Sequence, residues 1–393
     1  MSYNLYLMGD LATPLLSSAG ERRAFARRLV AWFRASARDL PWRKTRDLYA
    51  IWISEVMLQQ TQVQTVTAYY HRFLQEFADV RKLAAADEQQ VLRLWEGLGY
   101  YRRARQLHAA ARQIVAEHGG RFPTTYDAVR GLPGIGRYTA GAILSIGRDE
   151  RLPILEANTI RVLSRLSAFR GDVSSTTGQK HLWSLAAAIL PAREVGAFNQ
   201  ALMELGSEIC TPKSPDCHAC PVAMHCRARA EQIVDRVPAA ARRMKYEDLH
   251  EVAAIVRRGQ RVLVRKCQPG ERWAGLWDFP RFAGQADDLA DRVATLTGVT
   301  VVPGEKIKTL KHGVTRFRIT LECYEARCVS ESNGRPASAS AETRWVTPSE
   351  LAQLPLSTTG RKLAELAGQK RNVTRRTSPD AAARRGQSRH TPA

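Results

Sequence analysis

The chain has 393 residues, enough for two or three domains with a real core, and its hydrophobic fraction of 44% is ordinary for a folded protein. Its charge is not ordinary: 59 Lys and Arg against 38 Asp and Glu leave +21. That excess calls for a polyanionic partner, most simply nucleic acid, with a membrane surface or bare solubility as alternatives. No apolar run approaches the ~18–20 residues that span a bilayer, so a soluble protein is expected, and the clustered cysteines imply a cytoplasmic location.

In chain order, the opening "MSYNLYLMGDLATPLLSSAG" lacks the basic start and compact apolar segment of a secretory signal, and residues 1–20 read as a frayed terminus. Residues 21–209 read as helix after helix. "RRLVAWFRAS", "IWISEVMLQQ", "VLRLWEGLG", "LHAAARQIVAEH", "AGAILSI", "HLWSLAAAIL" and "FNQALMELG" all place apolar residues at three and four spacings. Residues 227–247 turn basic and alanine-rich, as a linker does. From 248 to 366 the period shortens: "EVAAIVRR", "RVLVRKC", "KTLKHGVTRFRITLECYEARC" and "TRWVTP" are β-type runs around one helical pattern, "ADDLADRVATLTG", which predicts an α+β domain. The Arg-, Ser- and Pro-containing stretch 367–393 reads as a basic disordered tail.

Four of seven cysteines crowd into residues 210–226 as Cys210-x6-Cys217-x2-Cys220-x5-Cys226. Such a cluster in one loop indicates metal ligation in a reducing compartment rather than a disulfide framework. Four thiolates hold either a tetrahedral zinc or an iron-sulfur cube, and spacing alone does not separate them. The single short Cys-x2-Cys pair tilts the balance toward the cube. His218 and His225 are expected to face solvent.

"GLPGIGRYTAGAIL" places Leu132, Gly134 and Gly136 between two helical patterns. It is either a tight helix-helix turn or, given the net charge, a clamp whose backbone N–H groups meet a DNA phosphate. Glu55 in "AIWISEVMLQQTQ" has Ile51, Trp52, Leu58 and Gln59 as helical neighbours, so it lies on a largely apolar face. Burial would raise its pKa into the range of a general acid; the alternative is a structural carboxylate paired with an arginine such as Arg43. Glu156 in "PILEANTIRVLSR" is either an ordinary helix-start anion or a carboxylate facing a positive charge formed during a reaction.

"LPWR" at 40–43, "WISEVMLQQTQV" at 52–63, "LWEGLGYYRRARQLH" at 94–108, "LPGIGRYTAGAILS" at 132–145 and the cysteine loop together resemble the adenine DNA glycosylase family of base-excision repair, within the helix-hairpin-helix superfamily. "WAGLWDFPRF" at 273–282 and "LKHGVTRFRITL" at 310–321 resemble the family's C-terminal domain more weakly.

The resemblance implies a mainly α, two-lobed helix-hairpin-helix glycosylase with a [4Fe-4S] cluster on Cys210, Cys217, Cys220 and Cys226, joined to a Nudix-like α+β domain that inspects the opposite base. It implies Glu55 as the acid that protonates N7 of adenine and Glu156 as the second catalytic carboxylate. Tyr138 and Asn158 would support that carboxylate and the sugar, with Arg43 in the adenine pocket and Gln60 and Tyr100 inserted into the duplex. The implied partner is double-stranded DNA with A:8-oxoguanine or A:G mispairs, bound by a monomer. Tyr138 stands where strand-nicking relatives carry lysine, so no Schiff base forms and a monofunctional enzyme is expected.

Two departures stand out. The family usually has Asp-Gly where this chain has Glu156-Ala157, one methylene longer. The family's Phe-Ser-His lesion-reading loop aligns with Val314-Thr315-Arg316, which keeps a hydroxyl at Thr315 and changes charge and shape at Arg316. The helical stretch after "GLWDFPRF" also lacks the carboxylates that would hold Mg²⁺ for Nudix hydrolysis, so recognition without hydrolysis is expected. The runner-up readings are a mismatch glycosylase of other base specificity and a non-catalytic iron-sulfur DNA-binding protein.

Overall fold

The structure is a computed structural model that describes residues 15–16, 18–239, 245–331 and 342–369. Most of the expected frayed terminus and nearly all of the basic tail lie outside the described residues. Helix α1 (Ala19–Ser36) starts just before the expected boundary because Ser18 and Glu21 form a capping box: the Glu21 N–H donates to Ser18 Oγ at 3.0 Å, and the Ser18 N–H to the Glu21 carboxylate at 3.2 Å.

A single turn at Pro41–Arg43 leads into α2 (Leu48–Leu58), whose N-cap Asp47 accepts from Tyr49 and Ala50. Then follow α3 (Val63–Glu76), α4 (Val80–Ala85), α5 (Glu88–Leu94), α6 (Arg102–His118), α7 (Tyr126–Arg130) and α8 (Arg137–Arg148). Every residue of α2 from Tyr49 to Met57 is buried, so it is the central helix of a first lobe.

The second lobe takes α9 (Ala157–Ser167), α10 (Thr176–Ala188) and α11 (Val195–Glu204), and α1 returns to complete it. Phe25, Leu29 and Phe33 of α1 pack there with Leu163, Leu182 and Phe198. Two separate apolar cores meeting along a cleft are what the two described helical lobes build.

The stretch expected as a linker differs. After α12 (Arg227–Ala230), Ala228, Ile233 and Val237 form a small buried cluster, and Arg165 donates to the carbonyls of Val234 and Val237 at 3.1 and 3.0 Å. Residues up to Val237 are therefore docked on the helical region. A buried guanidinium with backbone acceptors holds them there, which composition alone does not reveal.

The C-terminal domain has β1 (Glu247–Arg258), β2 (Arg261–Lys266), β3 (Trp277–Asp278), β4 (Arg281–Ala283), α13 (Leu289–Thr297), β5 (Val299–Val314), β6 (Phe317–Glu331), β7 (Thr343–Val346), α14 (Pro348–Gln353) and α15 (Thr358–Gly368). The sheet runs β3-β2-β1-β6-β5, with β1 parallel to β6 and the other neighbours antiparallel; β4 also pairs β1 and β7 pairs β2. Val252, Ala254 and Val256 face α13, while Ala253 and Ile255 face α14 and α15, as the two-residue period of a strand requires. The sequence reading expected one helix here; α14 and α15 are additional, each opened by a Ser or Thr cap. Among the described residues no helix is long and apolar enough to cross a membrane.

Candidate active site and cysteine loop

A cavity of about 860 Å³ opens along the cleft between the two helical lobes. The first lobe contributes Trp42, Arg43, Glu55, Gln60, Tyr100, Gly134 and Tyr138; the second contributes Glu156, Asn158, Gln200, Met203 and Glu204. Segments far apart in sequence thus converge because α2 and α8 pack against each other and α11 packs against α8.

Glu55 sits on α2 with 5% of its surface exposed. The Tyr138 hydroxyl donates to Glu55 Oε2 at 2.7 Å and lies 3.4 Å from Met203 Sδ. Burial pushes the Glu55 carboxyl up to about 7, with the Tyr138 hydrogen bond opposing and the nearby Glu156 charge adding to the rise. The alternative pairing with Arg43 does not occur. Arg43 instead grips Glu204, donating at 3.1 and 2.7 Å to its two oxygens.

Glu156 is the N-cap of α9. Its two carboxylate oxygens accept from the backbone N–H groups of Asn158 and Thr159, both at 2.8 Å, and the Thr159 hydroxyl accepts from the Glu156 backbone N–H. Burial raises its pKa, and those N–H bonds oppose the rise. The two readings of Glu156 therefore coexist: it caps a helix and lines the cavity. Asn158 Oδ1 accepts from Arg161 at 2.8 Å, so its amide is oriented by a guanidinium that also donates to the carbonyls of Gly206 and Cys210.

Sequence reasoning missed Arg38, Arg103 and Glu204. Glu204 is fully buried, and Arg38 reaches it with its backbone N–H and guanidinium at 2.6–3.0 Å. Two arginines hold its carboxyl down at about 2 despite desolvation. An acid among the apolar residues of "FNQALMELG" was the available signal, the same one that singled out Glu55.

Gln60 and Tyr100 sit on two turns at the cavity rim, both with left-handed backbone (φ 57° and 49°), and Tyr100 is 49% exposed. Arg103 ties the turns together from beneath, donating to the carbonyls of Val56, Met57 and Gln59 on one side and of Leu98 and Gly99 on the other. In the hairpin, Gly134 (φ 79°) has no room for a Cβ, which would stand 2.9 Å from Gln106 Cβ. Gly136 caps α8 with its flank exposed. At 2% exposure the Leu132 side chain belongs to the core, which leaves only its backbone for the phosphate contact expected of this turn.

Thr315 and Arg316 are not brought to this cavity. They form the turn joining β5 to β6, where Thr315 has φ 53° and Arg316 pairs with Glu247 at 3.2 Å.

The four cysteines follow a π-helical turn at Leu205–Ile209 and line one small cavity together with Val162, Leu205 and Val222. Arg165 donates to Cys210 Sγ at 3.3 Å. Among the described residues no group of three His, Cys, Asp or Glu side chains is set to hold a single ion. The four thiols border one shared space. His225 is not solvent-facing as expected: its ring meets Phe25 edge-on at 5.6 Å.

Residues 53–188 match the HhH-GPD superfamily base excision DNA repair protein family and residues 251–366 the NUDIX domain family. The chain is 36% identical to the adenine DNA glycosylase of Buchnera aphidicola subsp. Schizaphis graminum over 259 residues, covering 66% of this chain and 75% of that protein. It belongs to the adenine DNA glycosylase family. Family members from Rattus norvegicus and Homo sapiens are 41% and 40% identical, each over 72% of this chain, and the matched region spans 55% and 53% of their lengths. A solved structure of a thermostable thymine-DNA glycosylase, 29% identical with a TM-score of 0.50, covers 53% of this chain and 97% of that one, and fits the helical two-lobed part of the family fold.

Proposed function

We propose that this chain is a monofunctional adenine DNA glycosylase that hydrolyses the N-glycosidic bond of adenine mispaired with 8-oxoguanine or guanine, working as a monomer on chromosomal DNA in the cytoplasm. The observation that carries the reading is a buried carboxyl with a pKa of about 7, Glu55, sharing one cavity with a second carboxyl, Glu156.

An adenine inside a duplex is out of reach, so the nucleotide must leave the stack, at a cost of a few kcal/mol that wedge residues and pocket contacts offset. Tyr100 and Gln60 would fill the gap. In the cavity, protonated Glu55 gives its proton to N7 and turns the base into a leaving group, with Tyr138 fixing the carboxyl through its hydroxyl. As the bond to C1′ breaks, the sugar gains oxocarbenium character. The Glu156 carboxylate, aligned by two N–H groups, stabilises it electrostatically or as a covalent partner until water completes an abasic site. Arg38 and Arg43, locked by Glu204, would frame the purine edge. Among the described residues no lysine lines the cavity, which supports base removal without strand cleavage.

Cys210, Cys217, Cys220 and Cys226 would hold a [4Fe-4S] cluster, which when bound supplies a rigid cross-link between the π-helical turn and the loop that follows. The domain of residues 248–366 would read the opposite base through the Thr315-Arg316 turn.

The test is single-turnover excision on duplexes carrying A opposite 8-oxoguanine or G, with T opposite G included because of the thymine-specific structural relative. Adenine release lost in Glu55→Gln is expected. Release of thymine alone would establish the second reading, and no release of any base by the cluster-loaded chain would leave only a DNA-binding role.

A further inference from the structure

The turn that presents Tyr100 is held from two domains. Three of its residues have left-handed backbone, Gly97 (φ 99°), Gly99 (φ 72°) and Tyr100 (φ 49°), a shape that a tyrosine does not hold without outside constraint. Part of that constraint is local: Trp95 Nε1 donates to the Gly99 carbonyl at 3.1 Å, and Tyr69 to the Glu96 carbonyl at 2.7 Å.

Arg103 beneath the turn and Arg93, 3.2 Å from the Glu96 carboxylate, add to it, and a further share comes from the C-terminal domain. Arg361 on α15 donates through Nε to Glu96 Oε1 at 2.7 Å and through a terminal nitrogen to Glu96 Oε2 at 2.9 Å, a two-pronged pair. The Leu356 N–H donates to Glu96 at 3.3 Å, and the Tyr101 hydroxyl donates to the Leu356 carbonyl at 3.2 Å. Glu96 and Tyr101 bracket the strained turn, so the C-terminal domain closes on both of its ends.

We propose that Arg361 and its partner Glu96 are positioning residues for the turn that inserts Tyr100 into the duplex, so that the domain assigned to reading the opposite base also sets the wedge. The inference rests on the reading of Tyr100 as a wedge. Docking of the two domains does not depend on this pair. Leu276 is fully buried in the first-lobe core, and Gln89 bonds both Gly275 and Trp277 across the boundary. Removing the pair therefore loosens the turn while the domains stay together.

The experiment follows extrusion rather than chemistry. The full chain, loaded with its cluster, is mixed with a duplex carrying 2′-fluoro-2′-deoxyadenosine opposite 8-oxoguanine and a neighbouring 2-aminopurine that brightens when unstacked. The fluorine destabilises the cationic sugar and suppresses bond cleavage. Arg361→Ala and Glu96→Gln are each expected to slow the fluorescence rise about tenfold, within the range of coupled neighbours, and Arg361→Lys, which keeps the charge and loses the fork, about threefold. In a Tyr100→Ala background the same substitutions should add nothing. Glu96→Gln leaves every contact inside the C-terminal domain intact, so a slow rise in that variant with an unchanged melting temperature is not misfolding. Equal slowing with and without Tyr100, or wild-type rates in both variants, overturns the proposal. A Tyr100→Ala chain that extrudes at the wild-type rate refutes the wedge assignment itself.

Discussion

Glu55→Gln is expected to abolish adenine release and, at neutral to alkaline pH, to make the protein more stable. Folding lifts the carboxyl from its ordinary 4.5 to about 7, chiefly by burial. Between those values the folded chain holds a proton that the unfolded chain releases. The stabilisation of a protonated Glu55 is thus present below 4.5 and lost as pH rises through about 7. At about 1.4 kcal/mol per unit, the loss is on the order of 3 kcal/mol. Glutamine does not titrate, and its carbonyl oxygen still accepts from the Tyr138 hydroxyl. Urea denaturation of both proteins from pH 5 to 8.5 should show curves that diverge across this window, the variant ahead at the alkaline end. The wild-type single-turnover rate should meanwhile fall about tenfold per pH unit above about 7. Parallel stability curves would mean that Glu55 is ionised in the fold, and the general-acid assignment would fall with them.

Glu204→Ala should cost about 1.5–3 kcal/mol, because it leaves the mostly buried Arg43 guanidinium without its carboxylate while Arg38 keeps Glu208 at 2.9 Å; a melting temperature within a degree of wild type would refute that. The Glu204 contribution runs opposite in pH to that of Glu55, present above the ordinary carboxylate range and lost as pH falls toward about 2. Glu156→Gln should lower the single-turnover rate by about a hundredfold or more, while Glu156→Asp should stay within about tenfold of wild type. Iron and sulfide analysis should return a four-iron, four-sulfide cluster, and Cys217→Ser should lose it and open residues 210–226 to protease; a stoichiometric zinc would reverse the cluster assignment.

Much of this was legible because physical signals are local. Helical periods located α1, α2, α6, α8, α10 and α11, and an acid on an apolar helix face marked Glu55. Glu204 carried the same signal but was passed over, since nothing nearby in sequence hinted that Arg38 and Arg43 fold onto it from about 160 residues away. Arg103 was hidden for a related reason: apart from the Thr61 hydroxyl its partners are backbone carbonyls, which have no sequence signature. Helices α14 and α15 were missed because their caps, Thr347 and Ser357, introduce short segments whose apolar faces make sense only against the sheet. The glycine turn marks Leu132 as part of a backbone clamp but does not show that its side chain is core, as a hairpin presenting its backbone outward requires.

The extra methylene of Glu156 bears most directly on mechanism. If arm length set the carboxylate's position, replacing the usual Asp by Glu would shift the charge by roughly 1 Å and cost about a hundredfold in rate. The structure fixes that position differently. Both oxygens are claimed by N–H groups at the start of α9, each at 2.8 Å, so the helix terminus determines where the charge sits. The extended backbone at Glu156 (φ −139°, ψ −179°) is accessible to either residue, and Thr159 closes the box from the other side by accepting the Glu156 N–H. On this argument Asp and Glu deliver the same charge to the same place. Gln, which offers the N–H groups one neutral oxygen, does not. An Asp variant as inactive as the Gln variant would show that the arm, and not the helix, does the aiming.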